Sequence, residues 1–190
     1  MSVPARSAIR ILGVDPGTNL LGYGLIESDG DALKVLVTGT MNLSGFESHQ
    51  VKLREIYLQL QELIEAWLPG VLAIEAPFYG KNVQSMLKLG RAQGVAIAAA
   101  ITMGLDIVEY SPKKVKQSVT GNGNAAKEQV AAMLTHLLGP HVVADSLDAS
   151  DALAVAYCHY QHENGNGALR SGAKGANWKQ FIRENPDRII

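Results

Sequence analysis

The chain contains one cysteine, Cys158, so no intrachain disulfide can brace it. A lone thiol suits a reducing cytoplasm, where we expect the protein to work. No apolar run is long enough to cross a bilayer, and the opening MSVPARSAIR lacks the apolar stretch of a secretory signal, so no membrane partner is expected. There is no internal repeat and no Cys–His set at zinc-ligand spacing. What is present is ordinary for a globular fold: 190 residues, 47% hydrophobic and 18% charged, enough for one domain with a substantial core.

The net charge of −1 lacks the positive excess of a nucleic-acid binder, yet the charges are segregated. Between Tyr79 and Lys127, the basic residues Lys81, Lys88, Arg91, Lys113, Lys114, Lys116 and Lys127 face only Asp106 and Glu109. The stretch from Ala168 to Ile190 is also basic, and the remainder is acidic. Because electrostatic attraction is local at physiological salt, a basic middle suits a phosphate-binding face. Solvated lysines on helix surfaces account for it equally well.

Patterning predicts strands at Ile9–Val14, Leu20–Glu27 and Ala32–Leu43, the first two joined by the tight turn Asp-Pro-Gly-Thr. Leu53, Ile56, Leu60, Leu63, Ile64 and Trp67 recur at helical spacing, predicting a helix over Phe46–Leu68 stopped by Pro69-Gly70. A short doubly buried strand, Val71–Glu75, precedes a long helix at Asn82–Met103, a strand at Leu105–Tyr110 and a short basic helix from Ser111-Pro112. Helices at Ala125–Leu138 and Asp148–Glu163 follow. Asn164-Gly165-Asn166-Gly167 reads as a linker, giving a domain over 1–163 and a polar, flexible tail over 164–190. Short loops favour an antiparallel meander for the first three strands, and intervening helices favour parallel crossovers for the others.

Several carboxylates occupy costly positions. Asp15 ends an apolar strand, and Glu75 ends another; if those strands are parallel neighbours, both emerge at the edge where open α/β sheets place ligands. Asp148 and Asp151 are three apart near a helix start, so they share a face. Turn opening, strand termination and helix capping each explain one of them alone. Brought together, four carboxylates would repel and take up protons unless a cation neutralised them. An all-oxygen donor set points to Mg²⁺, with Mn²⁺ as a substitute, and a pair of such ions can clamp a phosphodiester. His159 and His162, further along the helix, read as solvated surface residues.

The segments ILGVDPGT, AIEAPFYGKN, SMLKLGRAQGVAIAAA, YSPKKVKQSVTGNGNAAKEQV and DASDALAVAYCH, in that order, make the chain resemble the RuvC family of bacterial Holliday-junction resolvases over most of Arg10 to His159. That resemblance implies an α/β, ribonuclease H-like fold with a five-stranded mixed sheet in the order 3-2-1-4-5, covered by helices on both faces. It implies a homodimer that nicks opposing strands of four-way junction DNA symmetrically, in recombination and repair, alongside a branch-migration complex. Asp15, Glu75, Asp148 and Asp151 carry over as catalytic metal ligands for two Mg²⁺ ions. Phe78 carries over as an aromatic near the strand-exchange point. Lys116 and Lys127 carry over as cations near the scissile phosphate, and Lys81, Lys88, Arg91, Lys113 and Lys114 are further candidates for backbone contacts. The helix with Leu89-Gly90-Arg91-Ala92-Gln93-Gly94 carries over as the dimerisation helix, although burial in its own subunit explains its small residues as well.

Two other readings compete. Sugar kinases and actin-like ATPases also open with a strand ending in Asp-x-Gly-Thr, but they need a second related domain. A module that holds junctions without cutting them would also be basic, and retention of all four carboxylates argues against it.

Overall fold

The computed structural model describes residues 8–29, 32–77, 82–139 and 146–171. Three strands, β1 (Ile9–Asp15), β2 (Leu20–Asp29) and β3 (Ala32–Asn42), form the antiparallel meander. Helix α1 (His49–Trp67) leads to β4 (Val71–Glu75), and α2 (Val83–Thr102) leads to β5 (Asp106–Tyr110). Helices α3 (Pro112–Thr120), α4 (Lys127–Leu138) and α5 (Leu147–Ser171) follow. The strand order is β3-β2-β1-β4-β5, with β4 parallel to β1 and β5 parallel to β4, as the loop lengths and the resemblance predict.

The sheet divides the interior into two layers. On one face Leu12, Val14, Leu25, Leu72 and Ile74 pack against Ile56, Leu60 and Ile64 of α1 and Ala92, Ala96 and Ala99 of α2. On the other, Ile11, Ile26, Val71 and Ala73 meet Val115 of α3, Val130 and Leu134 of α4, and the Leu153–Cys158 stretch of α5. Burial on both faces explains why β1 and β4 read as apolar runs with little alternation.

Local chemistry sets the element ends. Helix α1 begins at His49, later than Phe46, because the Ser48 hydroxyl accepts from the Val51 amide at 3.2 Å. It stops where Leu68 turns left-handed (φ 50°), ahead of Pro69. Asn82 caps α2 through the Ser85 amide at 3.1 Å. Helix α5 does not end at Glu163: it runs through Asn164-Gly165-Asn166-Gly167 to Ser171, so that run is helical and not a loop. Extending an existing turn costs far less than starting one, and Ala168, Leu169 and Arg170 are good helix formers. The chain forms two compact units, Met1–Tyr160 and Gln161–Ile190.

Glycines in β1 and β2 let α5 lie almost on the sheet. A Cβ on Gly13 would run into the Ala152 carbonyl oxygen and come within 2.8 Å of the Ala156 Cβ. A Cβ on Gly22 would overlap the Asp148 carbonyl, and one on Gly24 would stand 2.7 Å from Leu153 Cγ. The helix answers with Ala149, Ala152 and Ala156, all buried. A Gly13→Ala variant is therefore expected to lose about 1–3 kcal/mol of stability through overpacking. Gly45→Ala, where an added methyl meets nothing within 4 Å, is expected to stay within about 0.5 kcal/mol of the parent. Urea denaturation of the pair checks this.

Candidate metal centre

Asp15 is the last residue of the central strand, and its register neighbour on β2 is Gly22. On the other side β4 runs parallel, with Val14 beside Ile74, so Glu75 emerges at the same edge. The first turns of α5, pressed against Gly22 and Gly13, deliver Asp148 and Asp151 to that edge. Carboxylate oxygens of Asp15, Asp148 and Asp151 come within 4.8 Å of one another. Glu75 stands outside this trio but shares with Asp15 a cleft of about 200 Å³, whose wall includes Pro16, Pro77, Leu89 and Gln93. Asp15 thus belongs to both groups.

The electrostatics show a charge deficit. Burial pushes the Asp15 carboxyl up to about 7, with Glu75, Asp151 and Asp148 adding to the rise and Lys127 opposing it. Glu75 is also pushed up to about 7, by burial first and then by Asp151, while Lys127 and Lys116 pull it down. Lys127, in the first turn of α4, donates to Asp151. Its burial favours the neutral amine, but the Asp151 bond and the charges on Asp151, Asp15 and Asp148 outweigh that and raise its pKa. Lys127 and Lys116 together do not balance the four acids. Hard, mutually repelling oxygen donors that remain under-neutralised are a fitting donor set for a divalent cation of the Mg²⁺ type.

A family profile described as "Crossover junction endodeoxyribonuclease RuvC" matches residues 11–159. The chain belongs to the RuvC family. The RuvC of Cytophaga hutchinsonii is 55% identical over 179 residues, covering 94% of this chain and 87% of that protein. The RuvC of Porphyromonas gingivalis is 48% identical over 181 residues, covering 94% of this chain and 96% of that protein. Among solved structures, Thermus thermophilus RuvC in complex with a Holliday junction substrate is similar, with a TM-score of 0.77 and 29% identity, covering 83% of this chain and 96% of that one.

Around the RuvC-type carboxylates the other candidate residues are spread unevenly. Lys116, on α3, is near enough to Glu75 to lower its pKa. Lys127 opens α4, whose start is capped by the Gln129 side chain accepting from the Ala126 amide at 2.9 Å. Lys88 and Arg91 are exposed on α2. Lys114 lies over the Tyr110 ring at 4.9 Å, and a Cβ on Gly123 would come within 2.6 Å of Lys113 Cγ, so both lysines also have intramolecular neighbours. Phe78 and Lys81 lie outside the described residues, as do Trp178 and Phe181 of the tail.

His159 corrects the sequence reading: it is buried, not solvated, and its Nδ1 lies 2.9 Å from the Tyr110 hydroxyl. Gln93 was missed. It is buried on α2, donates to Glu109 at 2.6 Å and faces the cleft beside Asp15 and Glu75. The available signal was a polar residue in phase with Ala92, Ala96 and Ala99 on an otherwise apolar helix face.

The raised pKa values set the sign of a pH effect. A carboxyl whose pKa is higher in the folded protein than in the unfolded chain contributes stability that is complete below the unfolded value, near 4, and lost as pH rises through about 7. Metal-free protein is therefore expected to melt at progressively lower temperature between pH 5 and 8. Mg²⁺ is expected to restore more at pH 8 than at pH 5. Asp15→Asn with Glu75→Gln should flatten both trends in thermal melts.

Proposed function

We propose that this protein is a metal-dependent endonuclease that resolves four-way DNA junctions by paired, symmetric nicks. The convergence of Asp15, Asp148 and Asp151, with Glu75 across a shared cleft, carries this reading. Asp148 and Asp151 with Asp15 would hold one Mg²⁺ and Asp15 with Glu75 a second, with Mn²⁺ able to replace them. When bound, such a pair activates water at the scissile phosphate and stabilises the departing oxygen.

The chain's own groups do the positioning. Asp15, fixed at the end of a doubly buried strand, is the shared carboxylate, so its placement sets the relation between the two halves of the site. Lys116 and Lys127 add fixed positive charge where negative charge develops on the phosphate. Lys81, Lys88, Arg91, Lys113 and Lys114 would grip the backbone without reading sequence. Phe78 would stack on an unpaired base at the exchange point, a contact worth roughly 1–3 kcal/mol. Residues 1–163 would form the nuclease domain, with 164–190 an appendage to it.

The protein would work as a homodimer through α2. One face of that helix is buried against its own subunit, with Ala92, Ala96, Ala99 and Ala100 fully covered. The opposite face exposes Val83, Leu87 and Ile101, and Gly90 and Gly94 meet nothing within 4 Å of an added Cβ. An apolar stripe with small residues at its middle admits close approach of a second copy. In a two-fold dimer both active sites are related by the axis that relates the junction's opposing strands. Among the described residues no helix is long and apolar enough to cross a membrane. We place the protein in the cytoplasm, acting on junctions delivered by a branch-migration complex.

Asp15→Asn is expected to slow cutting of a four-way junction in Mg²⁺ on the order of 100-fold or more, with binding largely retained. A linear duplex of identical sequence should resist the parent protein. Junction cutting by the variant at the parental rate would refute the role given to Asp15, and equal cutting of both substrates would refute junction selectivity. Leu87→Arg is expected to yield monomers by light scattering; an undisturbed dimer would place the interface elsewhere.

A further inference from the structure

A second cluster of like charge lies at the same sheet edge, on the opposite side from α5. Helix α1 starts there, after β3, and α2 starts there, after β4. His49 and Lys52, in the first turn of α1, lie on the same side as Lys88 and Arg91, in the second and third turns of α2. Burial lowers the pKa of His49, and Arg91, Lys88 and Lys52 each lower it further by their charge. Those three cations are thus within electrostatic reach of the imidazole.

None of the four makes an ion pair among the described residues. The nearest acids along α1 do not offset them. Glu55 is paired with Arg54 at 3.0 Å, and Glu47, just before the helix, is exposed and has no part in the His49 shift. The His49 Nε2 is buried without a hydrogen-bond partner. Lys52 is anchored: its ammonium donates to the Asn19 side chain at 2.7 Å. Asn19 sits in the turn that follows Asp15, and its carbonyl accepts from the Leu43 amide at 2.7 Å, tying that turn to the end of β3.

Gathering cations with no carboxylate among them raises the energy of the free protein unless an anion is met there. We infer that His49 and Lys52, together with Lys88 and Arg91, form a phosphate-binding station for the DNA backbone, separate from the carboxylate cluster. It rests on the nuclease reading and extends it: the duplex arm leaving the cleft would be held across the start of α1 and the first half of α2. Lys52 couples the station to the catalytic strand, because its anchor is the turn that Asp15 begins. Backbone contacts of this kind fix register on the DNA and carry no sequence preference.

The test is junction binding by the full-length protein at several salt concentrations, in Ca²⁺ to suppress cutting. Each lost phosphate contact lowers the slope of log affinity against log salt by about 0.9. Lys52→Ala is expected to lower the slope by about that amount, Lys52→Arg to restore it, and His49→Ala to weaken binding further when combined with Lys52→Ala. Lys34→Ala, near the start of β3 and so at the opposite end of that strand, should leave the slope unchanged. Asn19→Ala removes the anchor and keeps the charge, so the slope should survive. A parental slope in Lys52→Ala would overturn the station, and so would an equal fall in Asn19→Ala, which would make Lys52 a brace for the turn. Failure of the parent protein to bind junctions at all would instead overturn the nuclease reading.

Discussion

The distance between α5 and the sheet governs the acidic site. Two aspartates on a helix reach a third at the end of a strand only if backbone lies nearly on backbone, and any side chain between them would hold them apart. Gly13 and Gly22 remove that obstacle on the strands, while Ala149, Ala152 and Ala156 remove it on the helix. Interiors pack as solids, so an added methyl at this contact moves the helix and cannot be absorbed quietly. The spacing of Asp148 and Asp151 then does the rest, since one face of one helix presents both carboxylates toward Asp15.

Charge is arranged around that contact in opposing pools. The carboxylates are desolvated and crowded enough that Asp15 and Glu75 bind protons near neutrality, and Lys127 offsets only part of the deficit. On the α1–α2 side the imbalance has the other sign, with the His49 pKa lowered by burial and then by three cations within electrostatic reach. A polyanion with bound divalent ions satisfies both pools at once: its counterions suit the acids and its phosphates suit the bases. A protein of net charge −1 can bind DNA on this plan, because segregation and not the total sets the local potential.

Strand order was legible because two signals agreed. Short loops joined β1, β2 and β3, and helices separated β4 and β5, which left few allowed topologies. The carboxylates were legible for a related reason: Asp15 and Glu75 end apolar strands, where a charge without a purpose is expensive. Other features escaped. The burial of His159 depends on Tyr110, far away in sequence, reaching it across the second core layer. The role of Gln93 in the cleft wall depends on Glu109 on the neighbouring strand. The helical Asn-Gly run misled because turn propensity is local, whereas α5 enters that run already formed. Side-chain partners set by tertiary contact leave little trace in periodicity, so existence and type of elements were read more readily than their neighbours.

The parts of the acidic cluster are made far apart in synthesis. Asp15 ends β1, and Asp148 and Asp151 lie more than 130 residues later, at the start of α5. A nascent chain that has completed the whole sheet still lacks two of the four acids and the α5 side of the second core layer. The acidic cluster is therefore assembled only once α5 has been made and has packed onto the sheet.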